Sequence, residues 1–194
     1  MKAALIVFDG MTMLDFIGFY DAITRLPRMG FLPDMTWNVC ARTEQVADER
    51  GLRLLPDRVG GSLEGYDLLY VPGGMGTRKL QHDGAFVEWL QTASAARLKV
   101  SVCTGALLLG AAGWLRGLTA TTHPSALKEL EPYCARVVRS RIVDQGAIVT
   151  AGGVSTSIDL GLHVVERLAG GEARAKIARQ MDYPYQADLQ GSAS

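Results

Sequence analysis

Short apolar runs that end in small or glycine-rich turns constrain this chain more than any other feature. Ala3-Ala-Leu-Ile-Val-Phe8, followed by Asp-Gly, is apolar at every position. A strand with one face in water would alternate polar and apolar side chains, so this run predicts a strand buried on both faces. Asp67-Leu-Leu-Tyr-Val-Pro-Gly-Gly74 reads as another core strand, and Lys99-Val-Ser-Val-Cys103 as a β-branched strand entering a helix that runs to about Gly113. Between and beyond them, Leu14 to Leu26 and Phe86 to Ala96 have helical apolar spacing, the first ended by Pro27 and Gly30. Trp37–Ala41 adds a strand, and Val46 to Pro56 a short antiparallel excursion.

The second half continues the alternation. Thr119 to Thr122 is β-prone and Pro124 to Leu130 helical, and Val137–Val143 and Ala147–Ala151 flank Asp144-Gln145-Gly146 as a hairpin. Helices over Ser155–Leu168 and Glu172–Met181 close the pattern. Without a low-complexity linker or internal repeat, this order predicts one α/β domain with a mainly parallel sheet, a flavodoxin-like sandwich over residues 1–185. Residues 186–194 form a polar tail, expected to fray.

Charge narrows the partners. Twenty basic residues balance twenty acidic ones, so no net field steers the chain to nucleic acid or to an anionic membrane. The most hydrophobic stretch, Val100 to Leu115, is interrupted by polar residues and falls short of the ~20 residues a spanning helix needs. Three cysteines, Cys40, Cys103 and Cys134, cannot all pair with one another and match no zinc spacing. A cytoplasmic protein with free thiols, without metal or organic cofactor, is the expectation.

The chemistry concentrates where strands end. A strand-to-helix turn at Cys103 strains its central residue and admits only small residues two positions away, here Ser101 and Gly105. Such a nucleophile elbow lifts the thiol to a helix N-terminus, whose unpaired N–H groups favour thiolate. A buried structural cysteine is the alternative. Gly73 and Gly74 offer close backbone approach and an anion-stabilising nest, or simply a tight turn. Asp15 opens the first helix as either a helix-dipole partner or, given its neighbours Leu14, Phe16 and Ile17, a buried carboxyl with a raised pKa. His123, at another strand end, could serve Cys103 as a base. His82, His163, Cys40 and Cys134 read as structural or surface residues.

Taken together, Ala3–Gly10, Leu14-Asp-Phe-Ile-Gly18, Val71-Pro-Gly-Gly74, Val102-Cys-Thr-Gly-Ala106, Ala120-Thr-Thr-His123 and Thr150-Ala-Gly-Gly-Val-Ser-Thr-Ser-Ile-Asp-Leu160 resemble the DJ-1/PfpI superfamily. The resemblance reaches Tyr185 and is nearest to its isonitrile hydratases and to the amidase-like sensor domain of AraC-type regulators. Thr104 stands where the PfpI-type proteases have His, and Asp15 where DJ-1 itself and its glyoxalase and protease relatives have Glu. Asp with Cys-Thr is the hydratase pairing. The regulators append a DNA-binding region, and no basic C-terminal module is evident here, so no nucleic-acid partner is expected.

The resemblance implies a homodimer acting on a small isocyanide. It implies thiolate attack by Cys103 on the isocyanide carbon, a proton from Asp15 to nitrogen, and an enzyme-bound thioimidate that water converts to an N-substituted formamide. Thr104 would be catalytic by orienting water or the carboxyl, and its N–H with that of Gly74 would hold developing negative charge. A cysteine-based redox or metabolite sensor, and glyoxalase- or deglycase-like chemistry, are the alternatives.

Overall fold

A computed structural model describes residues 1–184; the tail predicted for 186–194 lies outside the described residues. The chain runs β1 (Lys2–Ile6), α1 (Met13–Ile23), α2 (Arg25–Arg28), β2 (Thr36–Ala41), β3 (Val46–Ala47), β4 (Arg53–Leu54), β5 (Arg58–Val59), β6 (Leu68–Val71), α3 (Thr77–Leu80), α4 (Gly84–Gln91), β7 (Leu98–Val102) and α5 (Gly105–Ala111). It continues with β8 (Thr119–Ala120), α6 (Leu127–Leu130), β9 (Arg136–Val137), β10 (Ile142–Asp144), β11 (Ile148–Ala151) and α7 (Thr156–Gln180).

The main sheet has the order β10-β11-β7-β6-β1-β2-β5 and is parallel except for the β10–β11 hairpin at one edge. Every residue of β6, β7 and β11, and all of β1 beyond Lys2, is buried, as strands covered on both faces must be. After β1 the chain builds outward through β2 and β5, then crosses back to β6 on the other side of β1. That reversal opens a crevice at the carboxyl ends of the central strands, where ligands bind in open α/β sheets.

The predicted α/β fold with a mainly parallel sheet is therefore present, with local differences. Residues 137–143 do not form one strand: Arg136–Val137 pairs with β8 in a small second sheet, and β10 starts at Ile142. β5 and α3, four residues or fewer each, carry too little periodicity to be read from sequence. The two closing helices meet at Gly170, whose φ of 85° breaks the helical path.

Close packing of α1 on α7 sets the height of the first helix over the sheet. A Cβ on Gly18 would lie 2.2 Å from Ser157 Oγ, and one on Gly161 would lie 2.7 Å from Ala22 Cβ. These small residues let the two helices touch, and Ser157 Oγ donates to the Leu14 carbonyl at 3.1 Å. Position 15 is held on the neighbouring turn of backbone.

Candidate active site

Four strand ends converge. Asp15 follows β1, Gly73 and Gly74 follow β6, Cys103 follows β7 and Gly152 follows β11, and these four strands are adjacent in the sheet apart from their order. The structure thus gathers the residues that the sequence placed at strand termini.

Cys103 has a φ of 55°, in the left-handed region that costs a side-chain-bearing residue roughly 1 kcal/mol or more. Three contacts hold it there. Its N–H donates to the carbonyls of Ala151 at 3.0 Å and Gly152 at 2.7 Å, and its carbonyl accepts from Thr122 Oγ1 at 2.8 Å. The elbow also needs Gly105, where a Cβ would sit 2.4 Å from the Val71 carbonyl oxygen. Ser101, on the other side, is fully buried.

Asp15 is fully buried. Its Oδ2 accepts the Gly73 N–H at 2.9 Å, and its own backbone carbonyl accepts from the Tyr70 hydroxyl at 2.6 Å. Among the described residues its Oδ1 has no hydrogen-bond partner of ordinary geometry. Burial drives the carboxyl up to about 7, against the lowering influence of the Gly73 N–H and the Cys103 thiol. The nearby charge of Glu49 adds a smaller upward push. Of the two sequence readings, the buried carboxyl is the one found.

The thiol does not behave as the helix N-terminus alone would dictate. Burial and then the charge of Asp15 push Cys103 up to about 12, outweighing the Thr104 backbone and hydroxyl groups that favour its ionised form. The expected low-pKa thiolate is corrected accordingly: at neutral pH the resting sulfur keeps its proton. α5 supplies a few donors, whereas a nearly dry site with a carboxylate in contact penalises a second negative charge more strongly. Asp15 and Cys103 are best treated as a pair that shares one proton above about pH 7.

The glycines have no room for side chains. A Cβ on Gly73 would lie 2.6 Å from the Thr104 nitrogen, 2.7 Å from Cys103 Cβ and 2.8 Å from Asp15 Oδ2. Gly74 has a φ of 126° and a Cβ there would strike the Gly10 carbonyl at 2.4 Å. Their N–H groups, however, do not form an open nest. Gly73 N–H is taken by Asp15, and Gly74 N–H donates to Thr104 Oγ1 at 2.9 Å. Thr104 Oγ1 in turn donates to the Gly74 carbonyl at 3.0 Å. The threonine hydroxyl thus clamps the β6 loop to the elbow, and its own N–H faces the sulfur.

His123 caps the short helical turn that follows it: its Nδ1 lies 2.8 Å from Ser125 Oγ and accepts the Ser125 N–H at 3.2 Å. That ring nitrogen is engaged locally and not with Cys103. His163 Nε2 lies 2.7 Å from Asp144 Oδ2, tying α7 to β10. His82 is exposed between α3 and α4. Cys40 is buried in β2 against Tyr66, and Cys134 is half-buried beside the Leu130 carbonyl. Sequence reasoning missed Tyr70 and Thr122. Both look like ordinary strand residues, and their roles come from the neighbours that folding brings to them. Among the described residues no cluster of metal-ligating side chains is present, and no helix is long and apolar enough to cross a membrane.

Comparison with known proteins agrees with this fold. The model of the DJ-1/PfpI family matches residues 1–167. An isonitrile hydratase of Pseudomonas putida is 32% identical over 94% of this chain and 78% of its own length. The Parkinson disease protein 7 homolog of Danio rerio is 31% identical over 71% of this chain and 76% of its length. Among solved structures, a ThiJ/PfpI family protein from Pseudomonas syringae superposes with a TM-score of 0.86 at 27% identity, covering 99% of this chain and 78% of the other.

Proposed function

The chain belongs to the DJ-1/PfpI family, and from its site we propose that it is an isonitrile hydratase, a lyase that adds water to an isocyanide and releases an N-substituted formamide. The observation that carries this reading is the pairing of a strained cysteine with a fully buried carboxyl that has one oxygen unpartnered. A carboxyl poised near 7 beside a protonated thiol can take, hold and return a single proton, which is what addition of S–H across one carbon requires. The match to the Pseudomonas putida hydratase over most of both chains supports the same substrate class.

The steps balance as follows. Sulfur attacks the terminal isocyanide carbon while its proton passes to Asp15; the same proton then goes to that carbon, giving R–N=CH–S–Cys103. The atom count puts this first proton on carbon, not on nitrogen as first expected. Nitrogen is protonated in the second half, when Asp15 draws a proton from attacking water and returns it to give R–NH–CH(OH)–S–Cys103. Collapse breaks the C–S bond, the hydroxyl proton returns to sulfur, and the formamide leaves. Gly73 and Thr104 act by holding the carboxyl and the loop in register, and the Thr104 N–H stabilises charge on the sulfur. No step requires a metal or an organic cofactor.

A non-catalytic redox sensor needs a readily formed thiolate. A thiol held up by burial opposes it. The deciding experiment is formamide production from a small panel of alkyl and aryl isocyanides, with methylglyoxal consumption assayed beside it. Multiple turnover of an isocyanide supports the proposal; turnover of methylglyoxal alone rejects it. We also take the working state to be a homodimer in a reducing compartment. Leu14 and Ile17, one helical turn apart on α1 and 51% and 41% exposed, flank the site as an apolar face for a second copy. Sedimentation of wild type against Leu14→Glu tests that assembly.

A further inference from the structure

A cavity of about 380 Å³ opens at the carboxyl ends of β1 and β2. The thiol lies beyond the end of β7, and β6 stands between the two places in the sheet. The cavity's apolar wall is built by Val7, Phe8, Leu80 and Phe86, with the Phe8 and Phe86 rings packed edge to face at 6.0 Å. Its rim carries four charges: Asp9, Arg42, Lys79 and Asp83.

These charges are not equally free. Asp9 Oδ1 accepts the Ala47 N–H at 2.8 Å, and Asp83 Oδ1 caps α4 by accepting the Phe86 N–H at 3.1 Å. Both acids therefore have structural work within the fold. Arg42 gives one N–H to the Ala85 carbonyl and keeps other donors of its guanidinium in reserve. Among the described residues, the Lys79 ammonium has neither an ion-pair nor a hydrogen-bond partner. The rim is balanced in net charge, but of its four charged groups only the Lys79 ammonium is unpartnered, so it is the group an incoming anion would engage, with apolar surface behind it.

We propose that this cavity is a binding site for a small organic carboxylate with an apolar body, its carboxylate set between Lys79 and Arg42 and its body against Phe8, Leu80 and Phe86. A monoanionic, planar carboxylate suits the rim better than a phosphate dianion, which would face both Asp9 and Asp83. The volume lies within the ~300–1,000 Å³ range usual for small-molecule sites.

Benzoate is the probe, titrated into the full chain by calorimetry, with benzamide and inorganic phosphate as comparators. Saturable benzoate binding is expected, weakened about tenfold by Lys79→Gln through loss of a charged hydrogen bond, and retained by Lys79→Arg. Lys79 is exposed, so its replacement leaves the fold intact. Prior alkylation of Cys103 should not change the affinity. The assignment is overturned by absence of saturable binding, by benzamide or phosphate binding as tightly as benzoate, or by undiminished affinity in Lys79→Gln. Loss of binding on Cys103 alkylation would place benzoate in the catalytic site and overturn it equally.

Discussion

Replacing Asp15 by Asn should stabilise the protein while removing its chemistry, and the two effects have one cause. Burial lifts the carboxyl from 3.8 to about 7 in the fold. The unfolded chain releases that proton near pH 4, whereas the native state holds it until about pH 7. Native stability therefore falls as pH rises through this window and levels off above it. Raising the carboxyl from 3.8 to about 7 corresponds to about 4 kcal/mol of cost at alkaline pH. Asparagine keeps an oxygen for the Gly73 N–H but leaves its amide beside sulfur, poorly satisfied, at ~1–3 kcal/mol. The net gain at pH 8 is then about 1–3 kcal/mol, or several degrees in Tm for a chain of this length.

A cleaner quantity is the change in the mutational effect between pH 5 and pH 8, because the fixed cost of the amide cancels. It should grow in favour of the variant by about 2–3 kcal/mol. Urea unfolding of both proteins at the two pH values measures it. Formamide production by Asp15→Asn should fall by ~10²–10⁴-fold, the loss typical of a general acid–base group. A mutational effect independent of pH would refute the claim that Asp15 is a carboxyl held against its ionised form. Near-normal turnover would refute its role as proton carrier.

Four further outcomes follow from the same site. Cys103→Ala should abolish turnover with the fold intact, whereas Cys40→Ala and Cys134→Ala keep it, since neither of those thiols stands at the elbow; the assay is the isocyanide panel. Wild-type kcat/KM should decline as pH falls through about 7, where Asp15 gains the proton it must be free to accept. Iodoacetamide should alkylate Cys103 slowly at neutral pH and faster in Asp15→Asn, where no carboxylate opposes the thiolate; fast, pH-independent alkylation of the wild type would contradict the raised thiol. Gly73→Ala should lose both activity and stability, because its Cβ would collide with the Thr104 nitrogen, Cys103 and Asp15 at once; thermal unfolding and turnover together would show it.

Much of the architecture was legible because burial on two faces leaves a simple mark in sequence. The runs at residues 3–8, 68–71 and 99–102 could serve little but a covered parallel strand, and their endings at Asp9-Gly10, Gly73-Gly74 and Cys103 pointed to one end of one sheet. The small residue on either side of Cys103 marked the elbow, since a tight strand-to-helix turn excludes larger ones. The two-residue strand β5 left no such mark, and neither did the break between β9 and β10, where pairing partners rather than local pattern decide the ladder.

Electrostatics belonged to the tertiary structure. Local sequence put Cys103 at a helix N-terminus and so predicted a thiolate; folding then buried the sulfur and set Asp15, 88 positions away in the chain, against it, which reverses the sign. Local sequence likewise offered the Gly73 and Gly74 N–H groups to a ligand, but the fold gives them to Asp15 and Thr104. Hydrogen-bond partners and desolvation depend on which distant groups arrive and how much water they displace. A chain therefore specifies which residues reach the site through its periodicity and its small residues, while only close packing decides where the proton between Asp15 and Cys103 rests.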